Sequence, residues 1–411
     1  MADLRVEVDP GEVGLDAGRL ARIGAHFQRY VDDGRLPGWL AVVARHGRVA
    51  HVASAGFRDV EAGLPVTSDT LFRIYSMTKP ITSVAAMMLH EAGAFELKDR
   101  VERYLPSFGA TKVYRGGSSG APTLEPVVEP MRIWHLFTHT AGLTYGFHHT
   151  HPVDEIYRKH GYEWGTPKGA ATAEVIDQIA GFPLVAQPGT TFNYSMATDV
   201  LGRLVEVWSE MSLDEFFRTR LFEPLGMDET SFWVTGDDVE RLAALYIPFG
   251  EGGRATRWDA AGRAATRPQS FLSGGGGLVS SAGDYHRFME MLRRRGELDG
   301  VRVLSPRTVE YMVRNHLPGG VDLEAFGQST FAETTFDGVG FGLGFSVVLD
   351  PAAYRTPSSA GEYGWGGAAS TAFLVDPVED MTVAFYTQLL PSSTYPIRTQ
   401  LRQLVQQAIV D

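Results

Sequence analysis

Ser76-Met77-Thr78-Lys79 sets a hydroxyl and an amine three residues apart, directly before Pro80 and the apolar run Ile81-Thr82-Ser83-Val84-Ala85-Ala86-Met87-Met88-Leu89. Residues at that spacing share one face of a helix. An alcohol is a poor nucleophile at neutral pH unless a proton acceptor lies within hydrogen-bond reach, so the pair reads as a nucleophile, Ser76, with its base, Lys79. An amine accepts a proton only where its surroundings disfavour the charged form, and burial in an apolar helix does that. Pro80 fits only within a first helical turn, which puts Ser76 at the helix start, where backbone N–H groups favour developing negative charge. The plainer reading of the same residues is an N-cap serine beside a solvated lysine.

Two further stretches supply what acyl chemistry needs. Pro188-Gly189-Thr190-Thr191-Phe192-Asn193-Tyr194-Ser195-Met196 puts a phenol in a turn-rich segment ahead of an apolar helix beginning near Ala197. Tyr194 beside Lys79 could hold the proton of Ser76 and return it to a leaving group. Glu362-Tyr363-Gly364-Trp365-Gly366-Gly367-Ala368-Ala369 precedes a strand. Glycines there let a substrate approach the backbone, and the N–H groups of Ser76 and Ala368 could form an oxyanion hole. Trp365, Gly366 and Gly367, with Tyr75, Tyr145 and Phe147, are the expected walls of the substrate pocket.

Other chemistry-bearing residues read as structural. Gly116-Gly117-Ser118-Ser119-Gly120 matches a nucleophile elbow in form, yet lacks the buried strand before it and the helix after it, and is expected as an exposed loop. His148, His149 and His151 have no acidic partner at a metal-site spacing and read as solvated loop histidines at a pocket entrance. His139 reads as packed and hydrogen-bonded. Gly274 to Gly277 lacks the lysine of a phosphate loop and reads as close backbone packing near the site.

The positioning elements follow from periodicity. Leu40 to Arg45 and Val49 to Ser54 form one hairpin, and Thr371 to Val375 with Met381 to Tyr386 a second. Ile397 to Val410 has helical spacing of Leu401, Leu404, Val405, Ala408 and Ile409. Strands near both ends and a helical middle predict an α+β chain. Residues 1–70 and 270–411 form its antiparallel-sheet domain, and residues 71–269 a mostly helical insertion carrying Ser76, Lys79 and Tyr194.

Composition sets the outer limits. The 411 residues are 44% apolar with formal net charge −12 and no basic run, which argues against nucleic acid or an anionic membrane as partner. No cysteine is present, so thiol catalysis, disulfides and thiolate metal sites are excluded. Met1 to Pro10 has neither the basic nor the apolar region of an export signal, so the cytoplasm is the expected compartment.

Ser76-x-x-Lys79, Tyr194-Ser195-Met196 and Trp365-Gly366-Gly367-Ala368, in this order, resemble the serine beta-lactamase and penicillin-binding-protein superfamily, in its class C-like branch, and within it the family VIII carboxylesterases. Leu136 to Leu143 and Gly274 to Asp284 agree with that resemblance. It implies an antiparallel sheet flanked by helices beside a helical domain, with the active site between them. It also implies a serine carboxylesterase: Ser76 attacks a small-molecule acyl ester, Lys79 and Tyr194 manage the proton, and no metal or cofactor is required. An acyltransferase using the same acyl-enzyme, or a beta-lactamase or D,D-peptidase, are the alternative activities. Where beta-lactamases carry Lys-Thr-Gly this chain has Trp365-Gly366-Gly367, and Met196 stands where their tyrosine motif has an amide. Both differences predict an apolar site suited to short-chain hydrophobic esters.

Overall fold

The computed structural model describes residues 4–249, 253–327 and 336–411; Met1 to Asp3, the start of the segment read for an export signal, lie outside them. Its centre is one antiparallel sheet of eight strands: β1 (Gly38–Arg45), β2 (Arg48–Asp59), β3 (Leu64–Pro65), β4 (Val339–Phe341), β5 (Ser346–Val348), β6 (Tyr363–Gly366), β7 (Ala372–Asp376) and β8 (Met381–Tyr386). The spatial order is β4-β5-β6-β7-β8-β1-β2-β3. The two hairpins expected from opposite ends of the chain therefore meet at the middle, β1 pairing with β8 from Leu40↔Tyr386 to Arg45↔Met381.

β1 and β8 are buried along their whole length because both faces are covered. Trp39, Ala41 and Val43 of β1 point to one side with Val383 and Phe385, under helices α1 (Ala17–Asp32) and α5 (Ile397–Gln406). Leu40, Val42 and Ala44 face the other, with Ala384 and Tyr386, against a larger core. That core includes helices α2 (Thr78–Glu91), α3 (Ala197–Ser209) and α4 (Ala282–Arg293).

Two expectations need correction. α5 ends at Gln406 rather than Val410. The last residues instead pair with the N-terminal segment, where Asp16 N donates to Ala408 O at 2.8 Å and Val410 N to Gly14 O at 3.0 Å, so backbone bonding to another chain end overrides helical periodicity. Gly116 to Gly120 belongs to a hairpin, Lys112–Ser118 with Ala121–Pro126, not a loop. Ser118 is exposed on it, opposite Ala121, without the strand-to-helix turn of a nucleophile elbow.

One core residue makes folding depend on pH. Asp284, in the first turn of α4, is fully buried, and its carboxylate accepts from Glu229 N and Thr230 Oγ1, each at 2.8 Å. Burial pushes its pKa up to about 6. The folded state thus holds the proton more tightly than the unfolded chain, so the associated stability is complete below about pH 4 and lost as pH rises through 6, about 2–3 kcal/mol at most. Asp284→Asn keeps an oxygen acceptor for both donors. Thermal melts are expected to place this variant above the wild type at pH 8, with the advantage gone at pH 4.

Candidate active site

The strand Leu71–Arg73 pairs with Val279–Ser281 and leads into the 3-10 turn Tyr75–Met77 and then α2, with Pro80 in its first turn. Ser76 thus sits at the mouth of the helix, as the proline requires. Tyr75, immediately before it, has φ +44°. A bulky side chain in the left-handed region costs about 1–3 kcal/mol and persists only where the surroundings impose it. Here Tyr75 packs against Leu245, Ala369 and Leu390, which fixes the turn that presents the serine.

Lys79 is 1% exposed, and its Nζ lies within hydrogen-bond reach of three oxygens: Gly275 O at 2.7 Å, Tyr145 Oη at 3.0 Å and Ser76 Oγ at 3.2 Å. It also lies 4.5 Å from the ring centroid of Tyr194. An amine that touches the serine hydroxyl and has lost its water can serve as the acceptor of that proton.

Tyr145, expected only as a wall, therefore contacts Lys79 directly. Burial, then the charges of Asp199 and Tyr194, hold its pKa well above the usual phenol value, so it remains a neutral hydroxyl at any working pH. The Tyr194 hydroxyl accepts from Trp365 Nε1 at 3.2 Å. Its backbone is held by a histidine, His148 donating a ring N–H to Tyr194 O at 2.6 Å. His139, 1% exposed, has Nδ1 3.3 Å from both the N–H and the hydroxyl of Ser195. Burial, and secondarily the charge of Lys79, lowers its pKa well below the usual imidazole value, so it is a neutral structural residue.

Two of the three clustered histidines differ from the solvated loop group expected. His149 is exposed. His148 is half-buried at Tyr194, and His151 caps the helix Pro152–Lys159 by accepting from Val153 N at 3.2 Å. Loss of water to specific backbone partners explains the difference.

One cavity is lined by Ser76, Tyr194, Trp365, Gly366, Gly367 and Ala368, with Phe147, Trp164, Phe336 and Tyr354 as further walls. Tyr75 and Tyr145 are not among its lining residues; Tyr145 meets Lys79 through its hydroxyl. Close approach of β6 to the nucleophile depends on glycine. A Cβ on Gly367 would lie 2.4 Å from Ile74 O and 2.3 Å from Thr371 Oγ1. In the turn that follows, Gly367 N donates to Thr371 O and Ser370 N to Gly367 O; neither bond engages the N–H of Ala368.

Aromatic rings extend the wall outward. Tyr145 stacks on Phe147 at 4.6 Å, and Phe147 on Trp164 at 4.9 Å. Trp164 is missed by motif reading; a tryptophan between Glu163 and Gly165 in a polar loop is the only hint. Asp199 is missed as well, although a carboxylate among Ala197, Val200 and Leu201 at a helix start is a visible oddity; Gly275 falls within the glycine run read as close backbone packing near the site. Among the described residues no cluster of His, Cys, Asp or Glu could hold a metal ion, and no helix is long and apolar enough to cross a membrane.

The family model described as Beta-lactamase matches residues 23–407. The chain belongs to the beta-lactamase family. Esterase EstB of Burkholderia gladioli is 33% identical over 400 residues, which covers 92% of this chain and 93% of that one. The solved structure of EstCE1, titled a hydrolase with promiscuous acyltransferase activity, superposes with a TM-score of 0.78 at 30% identity, covering 95% of this chain and 99% of that one. Monacolin J acid methylbutanoyltransferase of Aspergillus terreus is 26% identical over 402 residues, 93% of this chain and 94% of its own. Within the beta-lactamase family the chain stands with the family VIII carboxylesterases, as its three motifs suggest, and it is a serine hydrolase or acyltransferase of the acyl-enzyme type.

Proposed function

We propose that this member of the beta-lactamase family is a carboxylesterase that hydrolyses short-chain acyl esters through an acyl-enzyme on Ser76. The contact of Ser76 Oγ with the buried Lys79 Nζ at 3.2 Å carries the reading. In the first step Ser76 Oγ gives its proton to Lys79 as the Oγ–C bond forms. Negative charge on the carbonyl oxygen is met by the N–H groups of Ser76 and Ala368, and removal of one such donor typically costs about 3 kcal/mol in the barrier. Tyr194, on the cavity wall, passes the proton to the departing alcohol, after which water is activated by the same groups in reverse and releases the acid.

Substrate class follows from the walls. Trp365 occupies the place of the cationic residue with which beta-lactamases meet the carboxylate of the antibiotic, and Phe147, Trp164 and Phe336 add only apolar surface. Arg398 and Arg402 also line the cavity but are bonded to Gly367 O and Glu362 Oε1, so uncharged apolar esters suit its aromatic wall better than anionic lactams. The relatives EstCE1 and the methylbutanoyltransferase carry acyl transfer in their names, which favours transfer to an alcohol as a second outcome of the same intermediate.

Turnover of p-nitrophenyl acetate, butyrate and octanoate beside nitrocefin tests this, with a competing alcohol present in one arm. Preference for the short esters, with nitrocefin turnover at least about 100-fold lower in kcat/KM, is expected. Dominant nitrocefin hydrolysis would make the chain a lactamase or peptidase, and ester product in place of acid in the alcohol arm would make it a transferase.

A further inference from the structure

Close to Lys79, and not among the residues that line the cavity, lies a carboxylate that the acyl-enzyme scheme leaves without a role. Asp199, in the first turn of α3, is 2% exposed. Its Oδ1 accepts from Ser273 Oγ at 2.6 Å and from Gly275 N at 3.0 Å. The carbonyl of that same glycine, Gly275, accepts from Lys79 Nζ at 2.7 Å. A Cβ at Gly275 would stand 2.5 Å from Asp199 Oδ2, so only glycine lets the carboxylate lie this close to the backbone that holds the lysine.

We infer that Asp199 is a positioning residue for Lys79, acting through Gly275 to aim the amine at Ser76 and supplying the negative charge against which it takes up the serine proton. This rests on the proposed pairing of Ser76 with Lys79. A glycine-rich loop has many conformations, and a buried carboxylate clamping one of its N–H groups selects the one whose carbonyl faces the amine. When Ser76 Oγ bonds to the acyl carbon, its proton moves to Lys79 Nζ and creates a cation on a side chain that is only 1% exposed. The groups that face it are the Tyr145 hydroxyl, the Tyr194 ring, the neutral His139 and Asp199. Of these only Asp199 can carry a full opposite charge while Tyr194 keeps its proton. Burial raises the proton affinity of Asp199, whereas Lys79, Ser273 and Gly275 oppose that rise. The carboxylate and the amine are therefore coupled in charge across one peptide.

The test is the pH profile of p-nitrophenyl acetate hydrolysis by the full chain and by Asp199→Asn, which keeps an acceptor for both donors and removes the charge. Loss of a negative charge facing the cation is expected to move the acidic limb of kcat/KM to lower pH by about one unit. The plateau kcat is expected to fall about tenfold with KM within about threefold, the sign of an interaction made in the transition state. Ser273→Ala, which weakens the carboxylate form without touching Asp199, is expected to shift the limb in the same direction by less. An unmoved limb in folded Asp199→Asn overturns the inference while leaving the esterase reading intact. Should that variant not fold, a wild-type limb in Ser273→Ala overturns it equally. A wild type that neither turns over esters nor labels with a fluorophosphonate overturns the Ser76 reading and this inference with it.

Discussion

Ser76→Ala is expected to lower kcat for p-nitrophenyl acetate by about 10⁴-fold or more, because Ser76 carries the cavity hydroxyl that Lys79 contacts. Folding is not at stake in that change: Ser76 is partly exposed and its hydroxyl accepts from Lys79 alone among the bonds described above. Lys79→Met makes the sharper comparison. The side chain keeps its length in a site that is 1% exposed, but the proton acceptor is gone, and kcat is expected to fall by about 10³-fold or more. Stability is expected to move little, with a melting temperature within about 3 °C of wild type, since replacing a buried polar amine by an apolar thioether of similar length offsets the lost bonds to Gly275 O and Tyr145 Oη. A lysine present for structure would give the opposite pattern, with activity tracking the loss of folded protein. Thermal melts beside single-turnover rates separate the two, and loss of folding in step with loss of rate would remove Lys79 from the mechanism.

What could be read from the sequence was what local chemistry dictates. Ser76 and Lys79 are three residues apart, so helix geometry alone joins them, and Pro80 fixes where that helix begins. The hairpins of β1 with β2 and β7 with β8 announce themselves by apolar runs around turn residues. Their pairing across more than 300 positions is a matter of topology, and composition at two chain ends can suggest but not register it. The site shows the same division. Tyr194 and Ala368 belong to motifs that a family resemblance marks, whereas the contact of Tyr145 with Lys79 depends on how the segment from Leu143 to His148 folds over α2. Asp199, in the first turn of α3, meets Gly275 of a glycine-rich loop 76 positions on, and no spacing signal joins the two. His148 and His151 depart from the solvated reading for a related reason, while His149 is exposed as expected. A polar residue in a Gly/Pro-rich stretch reads as solvated until the structure supplies its partner, here Tyr194 O for His148 and Val153 N for His151.

Two tyrosines flank the lysine, and their substitution by phenylalanine is expected to have unequal effects. Tyr194 lines the cavity beside Ser76 and Trp365, so its hydroxyl is within range of a leaving group; Tyr145 bonds to Lys79, is not among the lining residues and stays protonated. Tyr194→Phe is expected to lower kcat by about 10²–10³-fold with KM little changed, the usual scale for loss of a proton donor in the transition state. Tyr145→Phe removes one hydrogen bond that orients the amine and is expected to cost about tenfold, or about 1.4 kcal/mol. Because both act through the same nitrogen, the double variant is expected to fall short of the product of the two losses, and a double-mutant cycle on kcat/KM measures that coupling. Leaving-group dependence adds a second readout. Loss of the proton donor hurts esters of poorly acidic alcohols, such as ethyl butyrate, more than p-nitrophenyl butyrate, whose leaving group departs without a proton. Tyr194→Phe is expected to widen that gap and Tyr145→Phe to leave it unchanged. The reverse assignment, with Tyr145→Phe widening the gap, would make Tyr145 the donor and reduce Tyr194 to the wall that Trp365 leans on.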